Sequence, residues 1–468
     1  MNISPLAKRG VFKHIIMKVM KFGGTSMASA DTLKQVAQII IKEKEQNPVL
    51  IVVSACSGVT NMLIDVANAA ISKRDSIAEK LDVIRMKHME IIEGLFKHPD
   101  ELKTEISALL HTLEEFIIGV KLIKELSPHS YDFISSYGER LSSTIIAAYL
   151  NDLKTPAEAV MADTFLITNK EANNADPLLS ETKREGKPLI SGLLREGKTP
   201  VITGFLGRST EGKITTLGRG GSDYSASIVG SIMDASEIQI WTDVSGFYTT
   251  DPRICKSAIP HEIISFKEAS ELARFGARVL HPRTMLPALE KKIPVRIKNT
   301  FAPDEPGTMV TFNEEEVPKT IKAITIKKNV DLITIESAEM LMQHGFLAKI
   351  FKVFEEHEMS VDIVATSEIT VSISVEGQDL TQVHKDLSKI GHVYIEKDLS
   401  ILCIVGTGLE DSLADNAKIL QAVAECGISA RVITQNTTQT NFSLIIKDEN
   451  VIEAANKIHD VLFSHSRT

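Results

Sequence analysis

The spacing of apolar positions divides this 468-residue chain into stretches of different rhythm. An apolar run from Ile15 to Met20 is followed by Lys21, Phe22, two glycines and a pair of hydroxyl residues. From Ala30 to Lys44, apolar residues recur at Leu33, Val36, Ala37, Ile40 and Ile41. Together these predict a buried strand, a glycine turn and an amphipathic helix. Pro48 to Val53 is a second unbroken apolar run, as expected of a parallel strand covered on both faces. It ends in Ser54-Ala55-Cys56-Ser57-Gly58-Val59-Thr60-Asn61, small and hydroxyl residues at a strand's carboxyl end, where open α/β sheets hold ligands. Residues 62–126 read as several helices, and 132–150 as another with Tyr137-Gly138-Glu139-Arg140 in its first half. Strands are predicted at 155–159, 165–168, 199–204, 236–242 and 295–298, with helices at 224–233 and 266–275.

The last third changes period. Strands are predicted at 321–327, 331–336, 360–366, 369–375, 392–398, 400–406, 428–434 and 441–446, and helices near 345–357, 379–390, 414–426 and 450–462. Eight strands and four helices make two βαββαβ units of ferredoxin-like type. One unit completes itself over 331–398; the other, 399–468, ends one strand short and takes the orphan strand within 319–328. The first unit is therefore expected to be inserted into the second. A Pro/Gly-rich link at 302–308 closes the preceding domain, 17–312.

Composition narrows the class. An apolar fraction of 43% and a charged fraction of 24% suit a soluble globular protein. The net charge of −9, with no basic run, argues against a nucleic-acid partner, and no apolar stretch is long enough to span a membrane. Cys56, Cys255, Cys403 and Cys426 lie far apart, which suggests a reducing cytoplasm and no zinc site. Residues 1–16 have no signal-peptide core; they are expected to do no chemistry, and Met17 is an alternative start.

Four stretches carry candidate chemistry, and a fifth only imitates it. Gly23 and Gly24 let backbone approach a ligand and aim N–H groups at anionic oxygens, beside the Lys21 charge and a helix N-terminus. A tight turn with an exposed lysine fits the same residues. Gly138 inside a helix suggests close approach, either to a substrate near Glu139 or to another element. Gly192 to Thr199 matches the P-loop pattern letter for letter, but there a helix precedes a strand, the reverse of a P-loop; Gly197 reads as a helix C-cap. The densest run is Gly204-Phe205-Leu206-Gly207, a charged turn, then Thr215-Thr216-Leu217-Gly218-Arg219-Gly220-Gly221-Ser222-Asp223. It offers free N–H groups, an arginine fork for a carboxylate and a helix-capping pair. Asp243, Tyr248 and Arg253, after the strand at 236–242, could hold a ribose, a base and a phosphate, or form a solvated loop.

Lys-Phe-Gly-Gly-Thr-Ser, Thr-Leu-Gly-Arg-Gly-Gly-Ser-Asp-Tyr, Trp-Thr-Asp-Val-Ser-Gly-Phe-Tyr-Thr-Thr-Asp-Pro-Arg and Phe-Gly-Ala-Arg-Val-Leu-His-Pro, in this order, resemble aspartokinase. The likeness runs from about Met17 to residue 463. It implies a three-layer α/β/α amino-acid kinase domain with a mostly parallel sheet, followed by two ACT domains. The chain ends after the second ACT unit, so the resemblance implies a monofunctional enzyme without homoserine dehydrogenase.

The implied reaction is phosphorylation of the L-aspartate side-chain carboxylate by ATP with Mg²⁺, the first step of lysine, threonine and methionine biosynthesis. By the same resemblance Lys21, Gly23, Gly24 and Asp223 are catalytic. Thr25, Ser26, Thr60, Glu139, Phe205, Arg219, Gly220, Gly221 and Ser222 would bind aspartate, with Arg219 on its α-carboxylate. Lys21, Thr242, Asp243, Tyr248, Arg253 and Arg278 would bind nucleotide; the family usually has lysine in place of Arg278. Mg²⁺ would sit on the ATP phosphates, with no protein side-chain ligands. The ACT region resembles the lysine-sensitive type, implying L-lysine as inhibitor at Met340, Gly345, Phe346, Leu347, Ser360, Val361, Asp362, Thr366, Ser367 and Glu368. Met342 and Gln343 depart from the His and Ser of some members. ACT pairing would give a homodimer or tetramer. Two other readings are a glutamate kinase, against which the ACT pair and Arg219 argue, and an amino-acid sensor with a silent kinase half, against which Lys21, Arg219 and Asp223 argue.

Overall fold

The computed structural model describes residues 16–72, 77–276, 280–341, 344–409, 412–435 and 440–463. Contacts divide the chain into two compact units, Met1–Gly246 with His281–Phe312, and Phe247–Leu280 with Asn313–Thr468. The segment Phe247–Leu280 makes its contacts with the C-terminal residues, although in sequence it lies within the stretch 17–312. Polar bonds account for this: the Thr325 hydroxyl donates to the Phe275 carbonyl (2.8 Å), and the buried Glu268 carboxylate accepts from the Thr407 N–H (3.1 Å).

In the first unit five strands run parallel around Lys18–Phe22. Val49–Val53, Thr199–Thr203 and Ala157–Val160 extend the sheet on one side; Glu237–Thr242 and Val295–Asn299 extend it on the other. Thr308–Thr311 then pairs antiparallel with Val295–Asn299. Met20, Phe22, Ile51 and Val53 alternate into a core with helices Ala30–Lys44, Val59–Ile71 and Tyr137–Asp152. The intervening Val19, Leu50 and Val52 are buried as well, which is why these strands read as unbroken apolar runs. Helices Leu179–Arg195 and Gly221–Met233 pack together through Gly186, whose Cβ would stand 3.0 Å from Ile232. Because chain order reverses beside Lys18–Phe22, its carboxyl end faces the switch point at which such sheets bind ligands.

The helix expected over 132–150 is two helices, Pro128–Ser135 and Tyr137–Asp152. Leu179–Arg195 precedes strand Thr199–Thr203, with Gly197 left-handed at φ 75°, so the P-loop look-alike is a helix ending on a C-cap.

In the second unit the eight expected strands appear as six in one sheet. Ala323–Glu336 and His392–Val405 are each 14 residues long and pair antiparallel along most of their length. The half from Leu332 to Glu336 joins Val361–Thr366, Thr370–Glu376 and the half from His392; the Ala323–Lys327 half joins Leu399–Val405, Asn441–Lys447 and Val432–Gln435. Each set has ferredoxin-like order, and the first lies within the second in sequence. Separate cores form under each half: Phe346, Ile350, Phe354, Val371 and Leu387 in one, Ile419, Leu444, Ala455 and Ile458 in the other.

Candidate active site

Lys21 is the penultimate residue of the central strand. Its neighbours Met20 and Phe22 are fully buried, and Lys21 itself is only 8% exposed. Its ammonium lies 2.6 Å from Asp223 Oδ1, in the first turn of helix Gly221–Met233. The contact is an ion pair off hydrogen-bonding alignment, so Asp223 Oδ1 has no hydrogen bond among the described residues. The helix N-terminus adds partial positive charge at the same place.

The turn after Lys21 differs in detail from the sequence expectation. Gly23 donates its N–H to Trp241 O (3.0 Å), extending the strand ladder by one residue. That donor is therefore spent, and the N–H cradle expected of the pair falls to Gly24. Space is tight only at Gly24, where a Cβ would stand 3.3 Å from Ala55 O; at Gly23 one would make ordinary contact, 3.4 Å from Trp241 O and 3.6 Å from Lys21 Nζ. Thr25 is exposed. Ser26, expected to face substrate, is fully buried and shares a 2.7 Å hydrogen bond with the Thr300 hydroxyl, so it braces the turn instead. Thr60 lies in the first turn of Val59–Ile71, just after left-handed Gly58.

Glu139 stands in the first turn of Tyr137–Asp152. Its preceding residue, Gly138, is where helix and strand end meet, since a Cβ there would come within 2.6 Å of Ala55 Cβ. The closeness expected at Gly138 is thus helix packing, and the same packing brings the Glu139 carboxyl to the Ala55 backbone. Burial pushes Glu139 up to about 8, against the opposing pull of the Ala55 backbone, Lys21 and the Ser222 hydroxyl. At neutral pH the group is largely protonated. Glu139 Oε2 keeps an unfilled acceptor site among the described residues.

The glycine-rich run is more structured than a turn. Leu206–Ser209 and Ile214–Thr216 form a hairpin, joined by Ile167–Thr168 into a small sheet. Phe205 holds φ at 72°, costly for a side chain with a Cβ, and is fixed by its N–H on Ser225 Oγ (2.9 Å) and its carbonyl on Leu217 N–H (2.8 Å). Gly221 must lack a Cβ, because one would lie 2.6 Å from the Phe205 ring. Gly218 and Gly220 are left-handed, at φ 75° and 71°, on either side of Arg219. Arg219 is exposed and forms no ion pair among the described residues; Ser222 behind it is buried. His281 is held below the usual histidine range by burial and by the Arg219 and Arg283 guanidiniums.

The sequence reading missed several supports. Ser225 and Thr300 carry no motif and became visible only through their bonds to Phe205 and Ser26. Arg283 bonds Asp176 (2.6 Å) and Asn174 and lies over the Tyr224 ring, pinning the loop beside Gly218. Its position directly after Leu-His-Pro was the available signal.

At the next strand end, the Thr242 hydroxyl donates to Asp243 Oδ1 (3.1 Å), and Asp243 is exposed. Tyr248 and Arg253 fall in the second unit, where Arg253 grips Asp251 at 2.6 Å and helps hold that carboxyl below its ordinary value. Arg278 lies outside the described residues, as do Met342 and Gln343.

On the ACT sheet, Gly345 at φ 80° caps helix Phe346–Glu356, and a Cβ there would meet nothing. Phe346, expected among effector contacts, has its ring in the core beneath the sheet, with Met340 packed against the same cluster. Any effector contact from Phe346 would be through its backbone. Leu347, Ser360, Thr366, Ser367 and Glu368 are exposed, and Val361 is half-buried. The Asp362 carboxylate already holds the Lys327 ammonium at 2.6 and 2.8 Å. Asp362 lies within a register shift between Val361 and Val364.

The chain is similar to known proteins along nearly its whole length. The family profile described as amino acid kinase family matches residues 17–299, and that described as ACT domain matches 333–389 and 402–462. The chain is 37% identical to aspartokinase 1, chloroplastic, of Arabidopsis thaliana, over 95% of its own length and 80% of the relative's. It is 32% identical to lysine-sensitive aspartokinase 3 of Escherichia coli, over 95% and 99%. The crystal structure of E. coli aspartokinase III with aspartate and ADP superposes with a TM-score of 0.82 at 31% identity, covering 96% of this chain and all of the other. The E. coli structure with lysine and aspartate gives 0.82 at 32% identity, covering 96% and 99%. On these matches, which span nearly the whole chain, this chain belongs to the aspartokinase family.

Proposed function

We propose that the chain transfers the γ-phosphoryl group of ATP to the side-chain carboxylate of L-aspartate, giving 4-phospho-L-aspartate and ADP. The observation that carries this is the group at the carboxyl end of the central strand: Lys21 paired with Asp223 and felt electrostatically by the buried Glu139 carboxyl. A carboxylate nucleophile is ionised at neutral pH, with a reference pKa of about 3.9, so no general base is needed. One carboxylate oxygen bonds to the γ-phosphorus as the bond to the β–γ bridging oxygen breaks, and ADP leaves with that electron pair. The barrier lies in bringing two anions together and in the charge on the moving group.

Lys21 meets that charge, with the Gly24 N–H and the N-terminus of Gly221–Met233 behind it. Arg219, exposed and unpaired among the described residues, takes the α-carboxylate. Glu139 Oε2 and Asp223 Oδ1, without hydrogen bonds among the described residues, are the acceptors for the α-ammonium. Thr242, Asp243, Tyr248, Arg253 and Arg278 are the nucleotide residues in this reading. No group of three or more His, Cys, Asp or Glu among the described residues is arranged to hold a metal. In this reading Mg²⁺ is carried on the nucleotide phosphates, where it would neutralise charge.

Regulation follows from the second unit: lysine binds at the Gly345 helix start and the Asp362 strand and inhibits turnover. The strand Val361–Thr366 is at the sheet edge, and its pairing with a second copy gives a homodimer or a dimer of dimers. Among the described residues no helix is long and apolar enough to cross a membrane, and free thiols at Cys56, Cys255, Cys403 and Cys426 fit a reducing cytoplasm.

The test is aspartate-dependent ADP release from Mg-ATP, trapping the acyl phosphate with hydroxylamine, with glutamate as alternative acceptor and with lysine added. Hydroxamate formed from aspartate and suppressed by lysine is the expected outcome. Turnover with glutamate alone would replace the substrate, and no turnover with either would leave a sensor.

A further inference from the structure

We propose that His459, on the last helix of the ACT pair, is a positioning residue for the loop between Phe247 and Pro260 and thereby sets nucleotide affinity. The proposal rests on the nucleotide role given above to Tyr248 and Arg253, both in this loop.

The loop closes at a neck. Tyr248 bridges Pro260, the Thr249 N–H donates to Ile259 O (2.9 Å), and the Ile259 N–H donates to Thr249 Oγ1 (3.0 Å). The neck rests on the ACT sheet, since the Thr249 carbonyl accepts from Ile324 N–H (2.8 Å). Beyond it a turn is gathered on Asp251, whose carbonyl accepts from Ile254 (2.8 Å) and Cys255 (3.0 Å). The Ile254 side chain packs on the core of the second ACT half.

His459 ties the two limbs of this loop to one rigid ring. It is 3% exposed, in helix Val451–Phe463, with its ring centroid 4.9 Å from that of Phe463. Nε2 lies 2.9 Å from Thr249 Oγ1, on the neck. On the other side of the ring, Nδ1 lies 3.5 Å from Ser257 Oγ and 3.6 Å from Cys255 Sγ, on the returning limb. With Thr249 Oγ1 accepting from Ile259, we take its own proton as the donor to Nε2. That leaves the ring N–H on Nδ1, directed at Cys255 and Ser257.

A five-membered ring has no internal torsion, so the spacing of the limbs is fixed wherever this helix sits. Tyr248 is next to one anchored residue, Thr249, and Arg253 is two residues from the other, Cys255. Loop geometry is thus set from the ACT core rather than by the loop's own turns.

The experiment is steady-state kinetics of full-length His459→Phe, which keeps the ring's bulk and removes its bonds, and of Thr249→Val, which loses one hydroxyl. Both should raise KM for Mg-ATP roughly three- to tenfold, as when one or two net hydrogen bonds order a loop. Values of kcat and of KM for aspartate should stay within about twofold, and the double variant should add little to either single one. His459→Gln, whose amide reaches where Nε2 stood, should recover most of the loss; a merely structural role would not give that rescue. Native KM for Mg-ATP in both single variants, or equal rises in both substrates' KM, would overturn the proposal. Arg253→Ala separates the two levels: a raised nucleotide KM there beside native values at His459→Phe removes only the positioning role. A native value at Arg253→Ala removes the nucleotide reading beneath it, and the proposal with it.

Discussion

Two lysine–aspartate pairs of equal length sit in the two units of this chain: Lys21–Asp223 and Lys327–Asp362, both at 2.6 Å. The first lies at the end of a central strand, beside a helix N-terminus and a buried Glu139 that holds its proton to about 8. The second lies at a bulge in an edge strand, with both carboxylate oxygens on the ammonium. At Asp223 the oxygen facing Lys21, Oδ1, has no aligned hydrogen bond among the described residues, so that pair can take on a further donor. At Asp362 the pair is closed, and an incoming ammonium has to share or displace Lys327. Identical partners at identical distance therefore serve different ends, because their unfilled valences differ.

The largest effect should come from breaking the first pair. Lys21→Ala should lower kcat roughly a thousandfold or more, the scale found when a charge aimed at a transferring group is removed. ATP binding should remain measurable by titration, and near-native turnover in this variant would end the proposed mechanism. Breaking the second pair should leave turnover alone. For Asp362→Asn we expect an inhibition curve for lysine shifted at least about tenfold to higher concentration, since a hydrogen bond to a charged group contributes about 1.5–3 kcal/mol. An unmoved curve would place the effector elsewhere.

Glu139 sharpens the comparison, because it is the neighbour the second pair lacks. Its ordinary value is 4.5 and burial raises it to about 8. Between these two values the unfolded chain loses the proton while the folded chain keeps it. The unfolded state then binds fewer protons, so stability falls as pH rises through that window, by at most about 1.4 kcal/mol per unit. Glu139→Gln should flatten this slope in chemical-denaturation curves taken from pH 5 to 8. It should also remove any proton release on aspartate binding, measured by calorimetry in buffers of different ionisation enthalpy. An unchanged slope would mean that Glu139 is ionised in the fold.

The smallest effect concerns how Glu139 is held. Gly138→Ala gains about 1 kcal/mol of helix propensity but sets a Cβ 2.6 Å from that of Ala55. Overpacking of this kind costs about 1–3 kcal/mol, so a net loss of stability near 1 kcal/mol is expected, with a raised KM for aspartate. A stabilised variant with native kinetics would show that the strand end yields easily.

Much of the fold was legible because it repeats local rules. The helix over Ala30–Lys44 begins and ends where its apolar spacing places it, and Ser29 caps it through Thr32. The inserted ferredoxin-like arrangement could be counted from strand and helix order alone. What could not be counted was continuity: Ala323–Glu336 is one strand, because Lys328 and Asn329 continue across the register shift with only one left-handed residue, Asn329 at φ 59°. The break at Ser136, which divides an expected single helix, has no proline or glycine to announce it.

In the site, the residues with unusual chemistry were visible and their supports were not. Lys21, Arg219 and Asp223 stand in glycine-rich runs that a sequence displays openly. Thr300, 274 residues from Ser26, forms the bond that turns Ser26 inward, and nothing near either residue signals it. The chain's own order of residues determined its strands, helices, charge and candidate chemistry, since each depends on neighbours within a few positions. Only the tertiary structure decided that Gly23 spends its N–H on Trp241, that Glu139 keeps its proton, and that Phe247–Leu280 belongs with the ACT sheet. Those outcomes depend on burial and on donors brought from distant segments, and neither is a property of any local stretch.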